Sequence, residues 1–396
     1  MIKNSLILKI FQAASIQRWN DYPRMIDLVE LDKQAHKFII TYFIAKLEKD
    51  INYKNLIEAG IFEFLRRVVV TDIRPDVFHK VLKQKAEELN NWVIEKLSDE
   101  IKDIEQGEFL KKFKNYLNDE NMYKKERFVL KAASYLATKW EFDIVYQTSS
   151  FLSDIDEVKK EVELEIEDYY ELIAVQKIVL NKKLAKIIDL SGRLRFQKRW
   201  AQTPRVPETS VLGHMLIVAI FSYFYSIKIK ANSKRLENSF FTALFHDLPE
   251  ALTRDIISPV KYSVDELADI IASYEIQKIN EQILPNIPQS IKKEFSYILG
   301  INKDGKDEFQ NRIIDKYGEI QEIKEPQEYD KERFSTIDGE ALKQCDSLSA
   351  YIEASLSISH GIKSFELISG KKEILKKLKE INGFDFKQIA LNIDKL

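Results

Sequence analysis

Apolar side chains recur at three- and four-residue spacing along most of the chain, with charged residues on the opposite face. That period marks amphipathic helices that turn one stripe toward a core. It predicts a helix over residues 80–105. It predicts another over 157–188, through Val158, Val162, Leu164, Ile166, Leu172, Val175, Ile178 and Val179. Leu342 to Leu356 repeats the pattern. Val68-Val69-Val70 is β-branched, but it lies in a helical neighbourhood and the sequence offers no second strand to pair with it. From Thr209 to Ile227 there is no Asp, Glu, Lys or Arg. Such a run is long enough to span a bilayer. Gly213, His214, Ser222, Tyr223, Tyr225 and Ser226 interrupt it, which predicts a buried core helix instead. Residues 302–335 are strongly charged, which predicts a surface excursion or an exposed helix.

Composition points the same way. Gly 11 and Pro 9 in 396 residues are few breakers, so long helices are favoured over a turn-rich β-sandwich, and the expected class is all-α. The 61 basic and 63 acidic side chains leave a net charge of −2. No global charge draws the chain to nucleic acid or membrane, and neither is expected as a partner. The one cysteine, Cys345, excludes an internal disulfide framework and a Cys-rich zinc module. Leu6-Ile7-Leu8 is broken by Lys9, too early for a secretory leader, so the expected location is cytoplasmic.

At about 150 residues per domain the length suggests two domains, and ordered matches between the halves suggest duplication. Arg18-Trp19 and Pro23-Arg24 match Arg199-Trp200 and Pro204-Arg205 at the same spacing. His36 is taken to match His214. Thr71-Asp72-Ile73 matches Arg254-Asp255-Ile256 in its last two residues, and Leu130-Lys131 precedes Ser134-Tyr135-Leu136 as Leu342-Lys343 precedes Asp346-Ser347-Leu348. The expected organisation is a helical domain at 1–150, a helical connector at 151–185 and a second domain at 186–396.

The chemistry concentrates in the second half. His214 opens the uncharged helix and shares a face with Ile217, Val218 and Phe221. His246-Asp247 is an adjacent pair, and Asp346 sits on another amphipathic helix. Singly, each has an ordinary structural reading, as a core histidine, a polar helix end or a buried acid. Together they form an N2O2 donor set that suits one divalent Mn, Fe, Co, Ni or Zn ion with positions open to water and substrate.

The order His…His-Asp…Asp resembles the HD superfamily of metal-dependent phosphohydrolases, nearest to the YfbR-like HD-domain 5′-nucleotidases. Arg199-Trp200 lies ahead of His214. His246-Asp247-Leu248-Pro249-Glu250 resembles that group's HD-x-x-E. Thr253 to Tyr262 resembles its T-x-D-x-x-x-P-V-K-Y, and Asp346-Ser347-Leu348-Ser349-Ala350 its D-x-L-x-A. The resemblance covers about residues 187–365. It implies an HD-domain helical fold in the C-terminal half and release of phosphate from a nucleoside monophosphate or similar small phosphomonoester. His214, His246, Asp247 and Asp346 would be the metal ligands. Glu250 would manage the water and Asp255 would serve the sugar or act as an acid. Arg199, Trp200 and Lys261 would line the phosphate and nucleoside pocket. The alternatives are a phosphodiesterase or nucleoside polyphosphate hydrolase, and a nucleotide sensor with a metal-bound pocket.

Two departures stand out. Gly213 and Met215 flank His214 where the group carries a Glu and a small hydroxyl residue, so a hydrogen bond to that histidine is expected to be missing. Arg254 replaces a frequent Gly. In the first half, Glu63-Phe64 would fall at His246-Asp247, Arg67 at Glu250 and Ser134 at Asp346, leaving no metal set. That half reads as a degenerate HD-like copy, which would make the chain a monomeric pseudo-dimer; a homodimer is the other expectation.

Overall fold

Helix caps and apolar faces set the element boundaries. The computed structural model describes residues 2–395 apart from 72, 255, 257–259, 261–262 and 303–304, and at 75, 76 and 79 the backbone alone. Asp72, Asp255 and Lys261 therefore lie outside the described residues. The first half runs α1 (Asn4–Gln12), an antiparallel pair β1 (Gln17–Arg18) and β2 (Leu28–Val29), α2 (Glu30–Leu47), α3 (Tyr53–Val70), α4 (Pro75–Ile101), α5 (Glu108–Asn118) and α6 (Lys124–Ser149). Then come α7 (Ile155–Glu167), α8 (Ile173–Val179) and α9 (Lys183–Gly192). The second half holds α10 (Val211–Lys228), α11 (Ser233–Phe245), α12 (Glu250–Thr253), α13 (Leu267–Lys278) and α14 (Lys292–Ile298). A hairpin of β3 (Arg312–Ile314) and β4 (Ile320–Glu322) precedes α15 (Gly339–Ser359) and α16 (Phe365–Lys377). The chain closes on β5 (Glu380–Ile381), β6 (Phe384–Asp385) and α17 (Phe386–Ile393). The class is all-α, as expected.

Local chemistry starts the central helices. Ser210 caps α10, its Oγ accepting from Gly213 N at 2.9 Å. Asn52 caps α3 by accepting from Asn55 N, and Asn232 caps α11 by accepting from Lys234 N and Arg235 N. Each bond satisfies a backbone donor that the first helical turn leaves unpaired. The uncharged helix α10 is a core helix, with 94% of its span buried. One apolar cluster runs from Ile2 to Ile393 and joins both halves. Across their junction Tyr42 packs edge-on to Phe241 and Phe245, with ring centroids 4.8 and 5.0 Å apart.

One expectation changes, and one is narrowed to the first of its two alternatives. The single helix over 157–188 is three helices, α7, α8 and α9. The chain turns at Tyr169, whose ring packs 5.2 Å from Phe128 and 5.4 Å from Tyr135 on α6. The charged stretch 302–335 is a surface excursion built on the β3–β4 hairpin. It is pinned by buried Arg312, which donates to the carbonyl oxygens of Tyr297, Ile298, Asp307, Glu308 and Gln310.

The halves share a register. Gln17 pairs with Val29 just ahead of α2, and Lys198 bridges Ser210 just ahead of α10. Both helices have 18 residues. Trp19 and Trp200 share a left-handed backbone (φ 55° and 57°), as do Thr71 and Arg254 (φ 60° and 65°). One shift of 181 positions therefore carries Gln17 to Lys198 and α2 onto α10. It places Lys33, not His36, at His214. His36 is three residues further along, where its Nε2 donates to Ile188 O at 2.9 Å. Counted from the caps Asn52 and Asn232, Arg66-Arg67 fall at His246-Asp247. Counted back from Thr71 and Arg254, Glu63-Phe64 fall there and Arg67 at Glu250. The difference reflects three extra residues in the second half.

Corresponding elements also touch. At the crossing of α2 and α10, Ser210 Oγ donates to Asp32 Oδ1 at 2.6 Å. A Cβ on Gly213 would lie 2.8 Å from that oxygen and 2.8 Å from Leu31 Cδ2. Gly213→Ala is therefore expected to destabilise the protein by about 1–3 kcal/mol through overpacking. Helix propensity alone would favour Ala by about 1 kcal/mol, so the sign of the shift in a urea-unfolding midpoint separates the two.

Candidate metal centre

Three helices deliver the candidate ligands to one buried point. His214 lies in the first turn of α10 and is wholly buried. His246 follows the last residue of α11 and is 1% exposed, with Asp247 next in the chain. Asp346 comes from the N-terminal part of α15. One ligand atom each from His214, His246 and Asp346 lie within 4.8 Å of one another. Asp247 stands beside this trio, its Oδ2 3.1 Å from His246 Nε2 and 3.9 Å from Arg199 Nη1.

Hydrogen bonds fix which nitrogen of each ring faces the cluster. His246 Nδ1 is 2.7 Å from Ala243 O. A carbonyl only accepts, so Nδ1 carries the proton. The buried Nε2 meets no acceptor in good hydrogen-bond geometry among the described residues; it lies 3.1 Å from Asp247 Oδ2 and is the nitrogen turned toward the cluster. His214 Nδ1 faces Ser349 Oγ at 3.1 Å and Glu353 Oε1 at 3.3 Å, and its Nε2 faces Asp346 Oδ1 at 2.9 Å. With Nδ1 donating to the carboxylate, two acceptors oppose each other at Nε2, and a positive charge is needed between them. Burial and Arg199 oppose a charged His214, but Asp346 and Glu353 outweigh them and push it up to about 9. Burial also opposes a charged His246, which Asp247 nevertheless raises. Asp346 and Asp247 are held below the usual carboxylate range: burial opposes this, and the histidines outweigh it. The four groups thus attract a cation, and a divalent ion would displace the protons. The donor set fits such an ion.

The hydrogen bond expected to be missing beside Gly213 and Met215 comes instead from α15. Glu353 is 1% exposed. It accepts from Thr209 Oγ1 at 2.9 Å, from Trp200 Nε1 at 3.1 Å and from His214 Nδ1, with Arg205 Nη1 3.9 Å away. Sequence reading missed Glu353, Ser349 and Arg205. The available signal was spacing: Glu353 lies two helical turns after Asp346, on the same face.

Of the remaining candidates, Arg199, Trp200 and Glu250 are among the described residues. Arg199 is nearly buried beside Asp247. Trp200 is fixed by Glu353, with the Gly370 backbone packed against its ring. Glu250 opens α12 directly after Pro249, so the proline precedes the helix instead of breaking it. Its N–H donates to Asp247 O at 3.0 Å, and its carbonyl accepts from Gln197 Nε2 at 3.0 Å. On the far side Lys306 Nζ reaches His246 O at 3.5 Å and pairs with Glu275 of α13 and Glu308.

Residues 191–375 match the family model described as HD domain. A 5′-deoxynucleotidase of Pasteurella multocida is 21% identical over 199 residues, covering 49% of this chain and 86% of the relative. One from Klebsiella pneumoniae is 26% identical over 189 residues, covering 46% and 77%. A third, from Salmonella arizonae, is 24% identical over 199 residues, covering 49% and 84%.

Proposed function

Because residues 191–375 belong to the HD-domain superfamily, we propose that this chain is a metal-dependent phosphohydrolase that releases phosphate from nucleoside 5′-monophosphates. The observation that carries the reading is the convergence of His214, His246 and Asp346, each histidine locked through its other nitrogen. His214, His246, Asp247 and Asp346 would hold the metal, of the class Mn, Fe, Co, Ni or Zn. Such an ion supplies Lewis-acid polarisation of a phosphoryl oxygen and an activated water.

The chain's own residues do the rest. Arg199 binds and orients the phosphate through its planar fork. Glu250 takes the proton of the attacking water, and a proton passes to the leaving nucleoside 5′-oxygen as its bond to phosphorus breaks, so that it departs as the hydroxyl. Trp200, anchored by Glu353, walls the nucleoside side. The resemblance assigns Asp255 to the sugar or to the role of an acid, and Lys261 to the phosphate. The names of the Pasteurella and Klebsiella relatives support a nucleotide substrate. The buried, single Cys345 suits a reducing, cytoplasmic setting.

We read residues 1–150 as a degenerate HD-like copy, joined by 151–185 to the catalytic 186–396, in the place of a second subunit. The common register, and the packing of α2 on α10, support this.

The test is Glu250→Gln. It is expected to retain its metal and bind nucleotide while turnover falls by at least about 10²-fold. Phosphate release measured with nucleoside monophosphates, beside metal content, checks this. Wild-type chain that binds nucleotide and metal but releases no phosphate would support the sensor reading instead.

A further inference from the structure

The N-terminal half carries cationic side chains where the C-terminal half carries its proposed metal ligands. Lys33 stands at the position of His214. Its ammonium donates to Ser134 Oγ at 2.6 Å, as His214 Nε2 faces Asp346 Oδ1 at 2.9 Å. Trp19 Nε1 donates to Glu141 Oε2 at 3.2 Å, and Trp200 Nε1 to Glu353 Oε2 at 3.1 Å. Arg18 stands at Arg199. The arginine and tryptophan of the proposed substrate pocket are thus kept, while the ligand set is not.

The replacement leaves positive charge over. Arg18 Nη1 and Arg67 Nε share one carboxylate, Glu30 Oε2, at 2.9 and 3.4 Å. Among the described residues a second neighbouring acid, Glu141, pairs with Arg18 Nε at 2.8 Å and Arg195 Nη1 at 2.9 Å. Lys33 is 6% exposed, and Ser134 is its only hydrogen-bond partner among the described residues, although an ammonium has three donors. Burial presses its pKa down to about 7; Glu30 counters this, but the Arg18, Lys37 and Arg67 charges add to it. The group is not sealed, because the Arg18 and Arg67 side chains keep 11% and 19% of their surface. Three converging cationic heads with a spare ammonium suit a small dianion, which would use the donors and relieve the repulsion.

We propose that Arg18, Lys33 and Arg67 form a second phosphate site, one that holds a phosphomonoester dianion or free phosphate without hydrolysing it. The site rests on the correspondence between the halves and not on catalysis in the second half.

Calorimetric titration of the full chain with inorganic phosphate tests it. Two sites per chain are expected. Lys33→Met or Arg67→Gln should weaken one of them by about tenfold or more, with the far-ultraviolet circular dichroism unchanged. Arg199→Gln should remove the other. Adenosine 5′-monophosphate titrated into Glu250→Gln separates the sources. Tighter binding than phosphate at the N-terminal site identifies a nucleotide ligand, and equal binding identifies phosphate itself. A chain with no phosphate site, or with a single site lost in Arg199→Gln and untouched by Lys33→Met and Arg67→Gln, overturns the proposal. Absence of metal or turnover would sink the hydrolase reading and leave this site standing.

Discussion

Asp346→Ala is expected to leave the chain folded, free of metal and without phosphatase activity. Asp346 is the most exposed of the clustered ligands, with 26% of its side chain accessible. Its one hydrogen bond among the described residues goes to His214 Nε2. Removing it leaves His214 held by Ser349 and Glu353, so the packing of α10 against α15 survives. What disappears is the only clustered ligand that brings negative charge. Two neutral imidazoles beside Asp247 bind a divalent ion far less well than a set with two carboxylates. Turnover is expected to fall by at least about 10³-fold, since the Lewis acid and the activated water go together. Wild type and variant, purified without chelator, would be compared for metal per chain and for phosphate released from nucleoside monophosphates with Mn and Co added. Metal retained in the variant, or absent from both, would refute the ligand assignment.

How much of this centre was legible depends on how locally each residue is specified. His246-Asp247 and Glu250 sit in one short segment, His214 lies in the first turn of a long apolar helix and Asp346 lies on an amphipathic one, so the motif order exposed them. Glu353 carries only the mark of its spacing, two helical turns after Asp346. Its role arises only where α15 crosses α10 and the loop bearing Trp200 folds back on both. The proposed repeat shows in Arg18-Trp19 and Arg199-Trp200, but its register does not follow from matching histidine to histidine. Counting the 14 residues that separate Trp200 from His214 onward from Trp19 lands on Lys33. The break of 157–188 into three helices had no glycine or proline to announce it. Tyr169 turns the chain by docking on Phe128 and Tyr135, a tertiary contact that overrides an unbroken helical period.

Glu353 should be the most sensitive residue outside the ligands, in two measurements that separate its roles. Its carboxylate is buried among Thr209, Trp200, His214 and Arg205. Burial opposes its charge, yet Arg205 and His214 hold its pKa well below the usual range. Glu353→Ala leaves the buried Arg205 guanidinium without that counter-charge and His214 Nδ1 without its carboxylate acceptor. Breaking a buried pair from one side costs about 3–5 kcal/mol, to be read from urea unfolding of the metal-free chain. Glu353→Gln keeps the shape and one acceptor oxygen, so it should cost less stability. It still weakens the bond that sets the His214 tautomer, and metal affinity should fall about 10–100-fold, measured by competition with a chelator. Metal affinity unchanged in a folded Glu353→Gln chain would mean that the carboxylate only braces α10 against α15. A drop in affinity without a matching loss of stability would mean that it also positions His214 for the ion.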